Sequence, residues 1–366
     1  MRIAFVSRWY PLPGRGHAGL FVRDQVDALR EDHDVSVLVP SGGGVLRFVA
    51  DSTPLDAEAA VPVREGGLLA LVPRWAALDR ALSRIRGGPP ELVHVHVLAP
   101  DALPVLLACR RRRIPLVVTE HAGYLQSLVH EHRRARLQVR FVLRRAQAVV
   151  TVGSGLARVV EMVAPSVRVD VIGNVVDTSS FAPASGADRQ HALSVATVLD
   201  EIKGTDLLLR AWARIPSGDV PPLVLVGEDP GSGFARLASE LGVAERVDFR
   251  GPVSRAEVRR LMQTASVYVC ASRSETFGVA VAEALACGTP VVSTRCGGPE
   301  DFVTEEVGLT VPVDDERALE DAIVAVAGRR SSYGPAALHA YVERRFGRTA
   351  FRERMNDVYA RARERP

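Results

Sequence analysis

Short apolar runs rich in β-branched residues punctuate the chain at intervals that leave room for a helix between them. The first set is Arg2–Ser7, Asp34–Val39, Leu92–Val97, Leu116–Thr119, Ala148–Val152 and Val169–Ile172. Such runs are the pattern of parallel strands with helices on both faces of the sheet. A Ser-, Ala-, Pro- and Gly-rich interval, "NVVDTSSFAPASGADRQ" (Asn174 to Gln190), then breaks the rhythm and reads as a linker. Beyond it the rhythm resumes with Ala192–Val198, Leu223–Val226, Arg246–Phe249, Ser266–Cys270, Pro290–Ser293 and Gly308–Val311. The alternation predicts an α/β protein with two Rossmann-like, doubly wound domains. Each domain presents the carboxyl ends of its strands to a shared central cleft, where ligands are expected. From Tyr333 to Pro366, "AALHAYVERRF" and "AFRERMNDVYARARERP" carry helical periodicity and read as two helices.

The length of 366 residues, beyond the size at which one core usually keeps growing, fits two domains. Hydrophobic residues at 47% and charged residues at 24% describe a globular chain and exclude a disordered one. With 46 cationic and 43 anionic side chains the net charge is only +3, so nothing requires a nucleic-acid partner. Cys109, Cys270, Cys287 and Cys296 show no metal-binding spacing and read as reduced thiols, which points to a cytoplasmic protein without structural zinc. The apolar run "IAFV" is too short for a signal-peptide core, and no later stretch is long enough to span a bilayer.

"GRGHAG", Gly14 to Gly19, matches the G-x-G-x-x-G letters of a dinucleotide site. That fingerprint needs its first glycine at the strand end and an acid at the tip of the second strand. Here Arg8 to Pro13 intervene, and the second strand ends in "VLVPSGGG" without an acid. The dinucleotide reading therefore fails; a glycine loop remains.

The chemistry concentrates in "ASRSETFGVAVAEALACGTPVVSTRCGGPED". Glu275 precedes Gly278, and Glu283 lies eight positions after Glu275, inside the helical run "VAVAEALACG". A helix start beside glycine attracts a diphosphate. A glutamate within such an apolar helix is costly to bury unless it meets donors, which the hydroxyls of a ribose supply in pairs. Taken alone, the same two residues also fit solvated surface acids.

This stretch resembles the Glu-x7-Glu signature of retaining glycosyltransferases of family 4, which have the GT-B fold. The resemblance extends through "GHAGLFVRDQVDAL", "LVVTEHAGY", "VIGNVVDTSSF", "EIKGTDLLLRAWARI", "RVDFRGPVSRAEVRRLMQTASVYVCAS" and "GLTVPVDDERALEDAI", in the family's order and over most of the chain. It implies an acceptor-binding domain at 1–175 and a nucleotide-sugar-binding domain at 176–349, with the helix 350–366 packing back on the first. The implied reaction transfers a sugar from a UDP- or GDP-sugar to an acceptor hydroxyl with retention. A phosphate oxygen takes the proton, with no protein nucleophile and no metal or other cofactor. Candidate acceptors are a cell-envelope precursor, a cyclitol or another metabolite.

Carried over by position, the resemblance makes Lys203 the cation on the leaving diphosphate and Glu275 the acid beside the donor sugar. Phe277, Gly278 and Val279 become the backbone that meets sugar and phosphate. Glu283 becomes the ribose ligand and Gly19 the loop position that closes on phosphate. Arg250 to Val253 would lie at the nucleobase. The family's arginine five or six positions before the lysine is here Val198 or Thr197. Thr197 keeps a hydrogen-bonding group without charge, and the missing cation leaves either weaker catalysis or recruitment of Arg273 or Arg295. His121 follows the strand "PLVVTE", where it can orient a sugar hydroxyl or shuttle a proton. His94 and His96, alternating in "LVHVHV", read as structural.

Arg133, Arg136, Arg140 and Arg144 share a helical face within "HEHRRARLQVRFVLRRA", with Leu137 and Phe141 close by. The Arg133–Arg145 helix fits either a solvated face or peripheral contact with anionic lipid at the inner membrane face. Acceptor-binding loops are expected at Ser41–Arg47 and Gly123–Arg134. The rival functions are a GT-B sugar-nucleotide epimerase or hydrolase, and a non-catalytic scaffold.

Overall fold

The computed structural model describes residues 1–11, 19–41, 45–50, 53–54, 71–85, 87–98, 102–186 and 188–364. Gly14 and Gly16 of the opening loop, and residues 42–44 of the first expected acceptor loop, lie outside the described residues. The chain divides into two compact units, Met1–Val175 with Phe351–Pro366, and Val176–Ala350.

In the first unit the strands are β1 (Arg2–Val6), β2 (Asp34–Ser41), β3 (Val45–Ala50), β4 (Thr53–Pro54), β5 (Leu92–His96), β6 (Leu116–Glu120), β7 (Ala148–Thr151) and β8 (Val169–Val171). They form one sheet in the order β4-β3-β2-β1-β5-β6-β7-β8. The pairings from β2 through β8 are parallel, and β3 and β4 add an antiparallel edge. This edge differs from the sequence expectation, which ended the second strand at Val39 and made Ser41–Arg47 a loop. The physical signal was present: three glycines separate "VLVPS" from "VLRFVA", and a glycine-rich break between two apolar runs favours a hairpin. The helices are α1 (Leu20–Leu29), α2 (Leu71–Ser83), α3 (Ala102–Arg112), α4 (Leu125–Glu131), α5 (Arg133–Leu143) and α6 (Ser154–Val163).

Alternation along the strands divides this core into two layers. Ala4, Val6, Val93, Val95, Leu116 and Val118 enter one layer, whereas Ile3, Phe5, Leu92 and Val117 enter the other. The second layer is closed by α1 and by the last helix, Arg348–Glu364, through Phe351, Met355, Val358 and Tyr359.

The second unit carries β9 (His191–Val198), β10 (Leu223–Glu228), β11 (Val247–Gly251), β12 (Ala265–Cys270), β13 (Val291–Thr294) and β14 (Gly308–Val311). They form a parallel sheet in the order β11-β10-β9-β12-β13-β14. Chain direction across the sheet reverses between β9 and β12, so the loops following these two strands flank the switch point where ligands bind in such folds. The helices are α7 (Thr205–Arg214), α8 (Gly233–Glu240), α9 (Arg255–Thr264), α10 (Val279–Ala286), α11 (Glu316–Gly328) and α12 (Pro335–Phe346), and the last helix is α13. Among the described residues no helix is long and apolar enough to cross a membrane.

Candidate active site

After β9 the chain turns through Asp200, whose Oδ1 accepts the Lys203 N–H at 2.7 Å. Gly204 then opens α7 at φ 64°, and a Cβ there would lie 1.9 Å from the Ala271 carbonyl oxygen. Only glycine lets this loop press so closely on the loop after β12. The consequence is a direct pair: Lys203 Nζ lies 2.7 Å from Glu275 Oε1, which also accepts the Ser272 hydroxyl at 2.9 Å. Burial pulls the Lys203 pKa down, but the charge and hydrogen bond of Glu275 outweigh it, so the ammonium is held above its ordinary pKa.

The Glu275 N–H donates to the Cys296 carbonyl at 2.9 Å. A Cβ on Gly297 would come within 2.9 Å of the Glu275 carbonyl oxygen, and one on Gly298 within 2.5 Å of the Phe277 nitrogen. The Cys296-Gly297-Gly298 segment thus underlies the signature loop backbone to backbone. The Phe277 ring is buried against Phe302 and Phe346, with centroids 5.3 and 5.0 Å away, so this residue has its main chain to offer a ligand. Gly278, at φ 88°, precedes Val279 at the start of α10, and no side chain caps the helix. Its first-turn N–H groups face outward along the axis, where an anion is favoured.

Glu283 is buried one turn into α10 and pairs with Arg255 at 3.0 Å; that guanidinium also covers the Phe181 ring at 5.0 Å. Arg250, at the end of β11, is engaged by Asp248 at 2.6 Å and Glu257 at 3.8 Å, and Val253 is half-buried beyond it. Thr197 is exposed at the end of β9, with Val198 half-buried. Of the two candidate arginines for the missing cation, Arg273 is committed elsewhere. It makes two 2.8 Å bonds to Asp206 and one of 2.7 Å to Asp314, which hold its pKa above the ordinary range. Arg295 is exposed just past β13 and has no side-chain partner among the described residues.

In the first unit, Gly19 starts α1 at φ 81°, and a Cβ there would fall on the Trp9 carbonyl oxygen, 1.1 Å away. Glu120 ends β6 and accepts the N–H groups of Leu98 at 2.9 Å, His121 at 2.8 Å and Ala122 at 2.6 Å, tying together the loops after β5 and β6. Burial raises its pKa to about 7 against the pull of these donors. His94 uses both ring nitrogens, on Tyr359 Oη at 2.8 Å and Thr119 Oγ1 at 2.7 Å, and is structural. His96 differs: its Nδ1 lies 2.9 Å from His121 Nε2. Burial pushes His94 and His121 down to about 3, and His96 well below its ordinary value, so all three rings are neutral near pH 7. That state suits His121 to orienting a hydroxyl and makes it a poor proton shuttle.

The structure therefore brings Lys203, Glu275, Gly278 and Glu283 onto the loops and helix around the second sheet's switch point. Gly19 and His121 lie on loops of the first sheet. Sequence reasoning missed Ser272, Arg255 and the Gly297-Gly298 pair. The double glycine after a strand was a readable sign of close backbone approach. Arg255 left no local sign, because its partner is 28 residues away.

Two family models match the chain in succession. Glycosyltransferase Family 4 matches residues 18–180, and Glycosyl transferases group 1 matches residues 189–328. Among solved structures, sucrose-phosphate synthase from Thermosynechococcus elongatus superposes with TM-score 0.75 at 22% identity, covering 98% of both chains. HepE from Anabaena, in complex with UDP and glucose, gives TM-score 0.73 at 18% identity, covering 98% of this chain and 99% of that one. A D-inositol 3-phosphate glycosyltransferase from Mycolicibacterium gilvum is 40% identical over 188 residues. That match covers 47% of this chain and 42% of the relative, so the chain spans less than half of the curated relative it matches. Fold and family models together define a two-domain protein of GT-B type. The chain belongs to glycosyltransferase family 4.

Proposed function

We propose that this protein transfers a sugar from a UDP- or GDP-sugar to an acceptor hydroxyl with retention of anomeric configuration. The carrying observation is the switch-point cluster, in which Lys203, Glu275 and the uncapped start of α10 converge. The donor diphosphate lies on the first-turn N–H groups of α10 and on Lys203, and Glu283, oriented by Arg255, accepts the ribose hydroxyls. Lys203 offsets the charge that grows on the diphosphate as its bond to the anomeric carbon breaks. The acceptor oxygen forms the new bond on the same face and passes its proton to a phosphate oxygen. Glu275, held by Lys203 and Ser272, binds the sugar hydroxyls and does not attack the sugar. His121 orients a hydroxyl as a neutral ring, and Gly19 lets its loop approach phosphate. The nucleobase lies along the main chain from Arg250 to Val253, with Thr197 hydrogen bonding at the end of β9. No step needs a metal ion or other cofactor, so turnover is expected to persist in EDTA. Arg295 is the cation available to support the leaving group in place of the family arginine.

For the acceptor we propose a polyol or cyclitol phosphate or an envelope precursor; the former class is the one carried in the names of the inositol 3-phosphate relatives. Lys203→Ala should lower acceptor-dependent turnover about 100- to 1,000-fold, as losing one preorganised charge-stabilising group does. Glu275→Gln should lose turnover comparably yet bind nucleoside diphosphate at least as tightly, because Lys203 is released from its partner. Unchanged turnover in both variants would remove this site from the reaction. The missing arginine favours the scaffold reading, which predicts nucleotide binding without release of nucleoside diphosphate from any donor. A hydrolase would release it at the same rate with and without acceptor.

A further inference from the structure

Period-two alternation sets His94 and His96 on one face of β5, yet only His94 has both ring nitrogens engaged. His96 meets His121 ring to ring, Nδ1 to Nε2 at 2.9 Å, with the planes 18° apart. Phe5 stacks on His96 and Phe21 packs on His121, each with centroids 4.8 Å away, so neither ring is free to turn. Just beyond His96, Val97 adopts φ 72°, a conformation that disfavours a β-branched side chain. It is held there by the Leu98 N–H on Glu120. Backbone strain of this kind clusters at active sites and ligand clamps.

Both rings are buried and neutral, so in their shared hydrogen bond one must donate and the other accept, and the proton on one sets the tautomer of the other. The nearby Asn174 Oδ1 accepts from Gln25 Nε2 at 2.9 Å. With His96 as the donor, His121 Nε2 accepts and the His121 proton sits on Nδ1. No described group completes a hydrogen bond to His121 Nδ1, which is buried. A buried donor without a partner is one that a ligand can satisfy.

We propose that His96 is a positioning residue. By donating from Nδ1 to His121 Nε2 it keeps that ring in one plane and one tautomer, so that His121 presents an Nδ1–H to a hydroxyl oxygen of the substrate. The inference rests on the reading of His121 as a substrate contact and deepens it: His121 gives a hydrogen bond and takes no proton.

The test uses the full chain with 15N-labelled histidine, long-range 1H–15N NMR and steady-state transfer. In the wild type the His121 ring should carry its proton on Nδ1. His96→Leu should mix the His121 tautomers and lower kcat about three- to tenfold with donor KM unchanged, the effect of losing one neutral hydrogen bond. His96→Asn, whose amide N–H takes the place of Nδ1, should restore both. A wild-type proton on Nε2, or a His96→Leu protein with unchanged tautomer and kcat, overturns the proposal. If His96→Leu does not fold, the wild-type spectrum and His96→Asn still decide it. His121→Ala tests the underlying reading separately: full turnover there sinks the role of His121, whatever the NMR shows.

Discussion

Gly204 and Gly278 both stand at positive φ at a helix start, with Ala271 O and Pro299 Cγ where a Cβ would go, at 1.9 and 2.8 Å. Gly204→Ala should cost about 1–3 kcal/mol from its backbone conformation alone. It should also weaken nucleoside diphosphate binding by displacing the loop that carries the Lys203 ammonium. Urea melts and titration calorimetry check the two effects. The buried histidines make a separate pH prediction. Against an ordinary 6.5, the native chain holds His94 and His121 at about 3 and His96 well below. Between those values the unfolded chain takes up protons that the native chain refuses. Stability is then complete above pH 6.5 and is lost as pH falls toward 3. Glu120, raised from 4.5 to about 7, acts the other way, since the native chain keeps a proton that the unfolded chain releases. Three rings outweigh one carboxyl, so urea midpoints should fall steadily from pH 7 to pH 5; a flat or rising profile would contradict the neutral cluster. Glu275 and Glu283 could be singled out as candidates because they share one local motif, and Lys203 only through the family resemblance. Arg255 and the His96–His121 bond were not legible in the sequence, because they join residues 28 and 25 positions apart that only tertiary packing brings together.

At the scale of elements, the parallel strands could be read because each is an unbroken apolar run between glycine- and proline-bearing breaks. The hairpin β2–β3 was lost because the three glycines between its strands read equally well as a loop. In α5 the sequence left two readings open. The structure exposes Arg133, Arg134, Arg136 and Arg140, and leaves Leu137 66% exposed while Val139, Val142 and Leu143 turn inward. That exposure fits both readings. The lipid reading predicts cosedimentation with phosphatidylglycerol vesicles at low salt that reversing Arg133, Arg136 and Arg140 to Glu abolishes, each arginine contributing about 1 kcal/mol; a wild type that does not sediment with them leaves α5 a solvated face. α13 makes a different prediction. Tyr359 is fully buried and hydrogen bonds to His94, so Tyr359→Phe should destabilise the chain by about 1–3 kcal/mol, the cost of a buried nitrogen left without its partner.

For the whole molecule, the two sheets repeat one plan: the central strands are flanked by the strand order that reverses between β1 and β5 in one unit and between β9 and β12 in the other. Gly19 and His121 follow strands of the first sheet, Lys203 and Glu275 those at the second sheet's reversal. What the fold does not encode is the acceptor, since loops rather than strands shape its pocket. Sugar transfer with retention is tested most directly by incubating the protein in EDTA with UDP- and GDP-sugars, with and without a panel of polyol and cyclitol phosphates. Retaining transfer predicts nucleoside diphosphate release that depends on acceptor, and a product whose anomeric proton coupling matches the donor's configuration. Release at equal rates without acceptor, or a product of inverted configuration, would contradict it.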